Sequence, residues 1–103
     1  MSTILVVEDT LTQAEIITGS LRNAGFMTVL ATNGVEARSR ISQQKPSAII
    51  LDVVLPNESG FELCRELKDK PETKDIPIVM CSTKSGEMDK FLGDEARGFG
   101  LPD

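Results

Sequence analysis

Three apolar runs in this 103-residue chain end in a carboxylate or a hydroxyl. Ile4-Leu5-Val6-Val7 leads into Glu8 and Asp9, Ala48-Ile49-Ile50-Leu51 into Asp52, and Ile76 to Cys81 into Ser82. Carboxylates gathered at one point repel each other unless a divalent cation neutralises them. Mg2+ suits such a set, because it is a hard ion that takes oxygen ligands, keeps several waters and accepts phosphate oxygens. A carboxylate beside that ion can attack a phosphoryl donor, since the cation bridges two partners that are both anionic. The sequence contains no histidine, which excludes His-based acid–base catalysis and His-ligated zinc. Cys64 and Cys81 lie in unrelated patterns among apolar neighbours and are read as reduced core thiols of a cytoplasmic protein.

Each of these residues has a plainer reading when taken alone. Asp9 before Thr10 is equally a turn residue or a helix N-cap, Ser82 is a cap, and Glu8 is a solvated charge. Their joint placement decides the matter: if the three runs are parallel neighbours in one sheet, acid, acid and hydroxyl all reach the same edge.

The elements between them make that arrangement the expected one. The runs beginning at Ile4 and Ala48 lack polar alternation, as strands buried on both faces do. Leu11, Ala14, Ile17, Leu21 and Ala24 recur at helical spacing, and Gly25 follows where a C-terminal glycine belongs. Met27 to Ala31 reads as a second strand. Asn33-Gly34 opens a helix carrying Val35, Ala37 and Ile41 that stops before Pro46. After the loop Leu55 to Gly60, the residues Phe61, Leu63, Cys64 and Leu67 form a third helical stripe, which gives way to charges between Lys68 and Asp75. Ile76 to Cys81 is the fourth strand, and Glu87 to Ala96 is predicted to be a short fourth helix. Strands alternating with helices imply a parallel sheet covered on both faces, in which chemistry collects at the carboxyl ends of the strands.

Length and charge narrow the function further. A chain of 103 residues supports one domain with a single core. Sixteen acidic residues against eleven basic ones, without a basic run, argue against nucleic acid or an anionic lipid surface as a direct partner. The apolar run at Ile4 to Val7 is too short for a signal peptide or a membrane span.

On these pieces the sequence resembles the response-regulator receiver family. The likeness is carried by Ile4 to Asp9 (ILVVED), Asn33 to Ala37 (NGVEA), Ile49 to Pro56 (IILDVVLP), Ser59 to Leu63 (SGFEL) and Ile76 to Ser82 (IPIVMCS), in that order and spacing. The resemblance implies a flavodoxin-like doubly wound α/β fold and a signalling domain rather than an enzyme. It implies Asp52 as phosphoacceptor, and Asp9, Asp52 and the Val54 backbone carbonyl as Mg2+ ligands. Glu8 would hold the ion through water, and Ser82 would bond a phosphoryl oxygen. The Pro56 to Gly60 loop would hold the Val54 carbonyl, with Gly60 free to take a positive φ. Implied partners are a sensor histidine kinase or phosphotransfer protein and a downstream protein target. Leu11-Thr12-Gln13 and Ser82-Thr83-Lys84 are similar to single-domain regulators of pilus-driven and light-guided motility.

The family pattern continues into a fifth strand with an aromatic switch residue and a Lys-Pro pair, then a fifth helix. Gly98 to Asp103 matches none of these, so the domain of residues 1–103 is expected to lack that strand and helix. A homodimer covering the open edge of the fourth strand is the corresponding expectation. Two other functions compete with a phosphorylatable receiver. A degenerate receiver acting only by protein contact would fit the absent Lys. An aspartyl-nucleophile phosphohydrolase would need a second Asp two residues after Asp52, where Val54 stands. A nucleotide-binding domain is disfavoured because no glycine-rich phosphate loop follows the first strand.

Overall fold

The computed structural model describes residues 2–82. Their order is β1 (Thr3–Val7), α1 (Leu11–Asn23), β2 (Met27–Ala31), α2 (Gly34–Gln43), β3 (Ala48–Asp52), β4 (Val54–Leu55), β5 (Glu58–Ser59), α3 (Gly60–Asp69) and β6 (Ile78–Cys81). The expected helix at Glu87 to Ala96, the tail from Gly98 to Asp103 and the dimer contact at the sheet edge involve residues outside those described.

β1, β2, β3 and β6 form one parallel sheet in the order β2-β1-β3-β6, and β4 pairs antiparallel with β5 in a small hairpin. Because strand side chains alternate between faces, each strand feeds two cores. Leu5, Val7, Ile49 and Leu51 pack with Ala37 of α2 and with Leu63 and Leu67 of α3. Ile4, Val6, Ile50, Val79 and Cys81 pack with Ile17 and Leu21 of α1 on the other face. A strand buried on both sides has no use for polar alternation, which is why β1 and β3 read as unbroken apolar runs.

Helix ends follow the chemistry expected of them. Gly25 has φ 97° and donates to the Arg22 carbonyl while Phe26 N–H reaches Leu21 O, the paired bonds of a glycine-terminated helix. Asn33 Oδ1 accepts from Glu36 N at 2.8 Å to cap α2. Thr10, not Asp9, is the N-cap residue of α1, and its side chain makes no capping bond.

Three expectations need correction. Leu11 opens α1, and Val35 and Phe61 are the second residues of α2 and α3, yet they are 64%, 73% and 56% exposed, so the buried stripes begin further along, at Ala14, Ala37 and Leu63. The fourth strand starts at Ile78 rather than Ile76: Ile76 closes a turn through its N–H to Thr73 O, and Pro77 has no N–H to give the ladder. Gly60 is not the residue with positive φ in the loop; Asn57 is, at 66°. Pro56 followed by Asn57 is the order a type II turn requires, with Pro fixing the first φ and Asn tolerating the second.

Candidate functional site

Register puts the acidic residues at one level. Val7 is opposite Leu51, so Glu8 and Asp52 are the next residues along adjacent strands, and both belong to the face that alternation assigns to Ile4, Val6 and Ile50. Asp52 is in turn opposite Cys81, and Val53 N–H donates to Cys81 O at 2.9 Å. The sheet therefore places Glu8 and Asp52 side by side, with the end of β6 beyond them. One carboxylate oxygen from each of Glu8, Asp9 and Asp52 lies within 4.8 Å of the others.

Burial distinguishes the three acids. Glu8 and Asp52 have no exposed surface, so the reading of Glu8 as a solvated charge is wrong, while Asp9 is partly open to solvent. Two backbone N–H groups set the buried carboxylates: Thr10 N–H donates to Glu8 Oε2 at 2.8 Å, and Val54 N–H donates to Asp52 Oδ1 at 3.3 Å. Ser82 directly follows Cys81 and is exposed at the end of β6. Two buried carboxylates, a third at the opening and no thiolate or imidazole make a donor set for a hard divalent cation.

Val54 is presented by the hairpin. Gly60 N–H donates to Val53 O at 2.7 Å, which makes Val54 and Ser59 a pair that is not itself hydrogen-bonded and leaves the Val54 carbonyl outside the ladder. The glycine at position 60 is needed for close approach. A Cβ there would stand 1.9 Å from the Asp52 carbonyl oxygen and 3.0 Å from Val53 Cα. The hairpin can thus fold back directly onto the backbone of Asp52 only if residue 60 has no side chain.

One group near this loop was not anticipated from the sequence. Arg38 of α2 donates from Nη2 and Nη1 to the two oxygens of Glu58 at 2.8 and 3.2 Å, and from Nε and Nη2 to those of Glu66 at 2.9 Å each. That hydrogen bonding to Arg38 holds the Glu66 carboxyl down at about 2 and pushes the Arg38 guanidinium up. Arg38, Glu58 and Glu66 stand on three separate elements, so no spacing in the sequence marks them as a set.

Comparison with known proteins agrees with this architecture. Residues 4–99 match the family model for the response regulator receiver domain. Over 93 residues the chain is 34% identical to Protein PilH of Pseudomonas aeruginosa, covering 90% of this chain and 77% of that protein. Among solved structures it resembles the signal receiver domain of a signal transduction histidine kinase from Syntrophus aciditrophicus, at 40% identity and TM-score 0.75. That match covers 78% of this chain and 61% of the other. It also resembles the response regulator protein TrrA of Thermotoga maritima, solved in complex with Mg2+-BeF, at 30% identity and TM-score 0.75 over 86% of this chain and 76% of that one. No helix among the described residues is long and apolar enough to cross a membrane. With the acidic edge, the parallel sheet and the matched residues in agreement, the chain belongs to the response regulator receiver family.

Proposed function

We propose that this domain accepts a phosphoryl group on Asp52 from a histidine kinase or phosphotransfer protein and relays the signal to a protein target in the cytoplasm. The observation that carries the reading is the convergence of Glu8, Asp9 and Asp52 within 4.8 Å at the carboxyl edge of the sheet. A purely adhesive role has no use for two fully buried carboxylates placed side by side.

In the proposed reaction an Asp52 carboxylate oxygen attacks the phosphorus of a phosphohistidine. The oxygen–phosphorus bond forms as the phosphorus–nitrogen bond breaks, and the electron pair returns to the imidazole nitrogen, which takes a proton from solvent. Mg2+, held by Asp9, Asp52 and the Val54 carbonyl, with Glu8 acting through water, would neutralise charge on the acceptor and the donor together. The Val54 N–H fixes Asp52 by holding Oδ1, and the Thr10 N–H holds Glu8. Ser82 would donate its hydroxyl to a phosphoryl oxygen of the product, coupling β6 to a modification that adds roughly one to two negative charges. The switch between two loop states that such a modification would drive falls on residues outside those described.

The test is phosphorylation by a small acyl phosphate with Mg2+, read by mass spectrometry. One added phosphoryl group is expected in the wild type and none in Asp52→Asn. Labelling that persists in the variant would assign the chemistry to another residue.

A further inference from the structure

The hairpin that presents Val54 is too small to hold itself. β4 and β5 have two residues each, joined through Pro56 and Asn57, and an isolated two-stranded hairpin is marginal in water. It needs external anchors, and two of them fall on one cross-strand pair. Leu55 is buried in the core beneath α3, while Glu58, its register partner, turns to Arg38 of α2. One strand of the hairpin is held by apolar packing and the other by a charge.

The N-terminus of α2 is shaped to receive that charge. A Cβ at Gly34, the first residue of the helix, would lie 1.9 Å from Glu58 Oε2 and 3.0 Å from Arg38 Nη1. Glu58 thus occupies the space of an absent side chain, close to the positive end of the helix dipole, with both of its oxygens bonded by the guanidinium. Arg38 makes a second pair of bonds to Glu66 on α3, but that arm joins helix to helix and does not touch the hairpin.

We infer that Arg38 is a positioning residue for the metal site: through Glu58 it fixes the β4–β5 hairpin and so the Val54 carbonyl, and thereby sets Mg2+ affinity. The inference rests on the reading of the acidic edge as a Mg2+ site. Arg38 makes no bond to the acidic edge; it acts on the one proposed protein ligand that the β4–β5 hairpin carries, rather than on those at or just beyond the ends of the main-sheet strands.

The two arms of Arg38 supply the test, because a general structural role would make them equivalent. Mg2+ titration by calorimetry would compare wild type, Glu58→Gln, Gly34→Ala, Glu66→Gln and Arg38→Met, with melting in EDTA measured in parallel. Releasing the hairpin from Arg38 is expected to weaken Mg2+ binding by about tenfold in Glu58→Gln, Gly34→Ala and Arg38→Met, the scale on which losing an outer-shell partner acts. Glu66→Gln is expected to lower the melting temperature while leaving Mg2+ affinity unchanged. Equal weakening by Glu58→Gln and Glu66→Gln, or no weakening by Glu58→Gln, would overturn the inference alone. A wild-type protein that binds no Mg2+ would overturn the reading of the site and the inference with it.

Discussion

At the carboxyl edge of the sheet, Glu8, Asp9 and Asp52 are carried by or beside backbone that the core already holds. Between α2 and α3, Glu58 and Glu66 are gathered by a cation, Arg38. The first group brings like charges together because strand register leaves them no alternative. The second brings opposite charges together from three elements, at positions between a quarter and two-fifths exposed. Stability and function are consequently divided. Apolar burial on both sheet faces supports the arrangement of the acids, whereas electrostatics supports the loop that completes their surroundings.

The largest expected contrast between the two regions comes from adding the ion. A ligand that binds only the folded state stabilises it by about 2.7 kcal/mol at 100 times its dissociation constant. For a domain of this size that corresponds to a rise of about 10 °C or more in melting temperature. Asp9→Asn is expected to lose most of the gain, and Glu66→Gln to retain it. Calorimetric melting with and without Mg2+ reads both, and an undiminished gain in Asp9→Asn would remove Asp9 from the site.

A smaller effect separates rigid backbone from open surface by making one substitution at two places. Gly60→Ala drives a Cβ into the Asp52 carbonyl, and neither the backbone there nor that of Val53 can swing aside as a side chain would. The expected cost is about 2 kcal/mol, with weaker Mg2+ binding, because the atoms that must shift flank Asp52, the proposed acceptor. Gly19→Ala in α1 meets nothing within 4 Å and should stabilise the helix by about 0.5 to 1 kcal/mol. Urea unfolding of the pair decides it: a Gly60→Ala protein as stable as the wild type would mean that the hairpin has slack the structure does not show.

The sequence revealed the acidic edge more fully than the charged clamp, for a physical reason. Burial on both faces turned β1 and β3 into continuous apolar runs, so each acid was marked by a change of residue type at a strand end, and sheet topology supplied the rest. Gly25 was legible as well, because a helix C-terminus needs a left-handed residue and sequence places a glycine there. Leu11 and Phe61 misled because they have the right spacing but lie in the first turns of their helices, beyond the reach of the sheet. Gly60 is required by close approach rather than by a positive φ. A glycine announces that a side chain is excluded, but the choice between positive φ and close approach depends on the fold-back of the hairpin. Arg38, Glu58 and Glu66 left no local trace at all. Each reads as an ordinary surface charge, and only the packing of α2 beside α3 brings them together.

The smallest prediction tests the clamp through acid. The Glu66 carboxyl is lowered from 4.5 to about 2, first by the Arg38 hydrogen bond, then by Arg38 and Lys70 charge, with burial opposing. Its folded-state value lies below its unfolded one. Folding is therefore supported by this group in full above about 4.5, and the support fades as pH falls from there through about 2. Because the Glu66 side chain is 33% exposed, solvent screening reduces the contribution to about 1 kcal/mol rather than the larger figure the shift alone would suggest. Urea unfolding of wild type and Glu66→Gln should accordingly differ by that amount near neutral pH and converge toward pH 2, with Mg2+ left out so that ion binding does not contribute and the acidic edge, common to both proteins, cancels in the difference. About 1 M NaCl, where the screening length is about 3 Å, should narrow the gap at neutral pH. A gap that stays constant as the solution is acidified would show that the Glu66 charge is not what separates the two proteins, and that the charge between α2 and α3 carries no share of the stability.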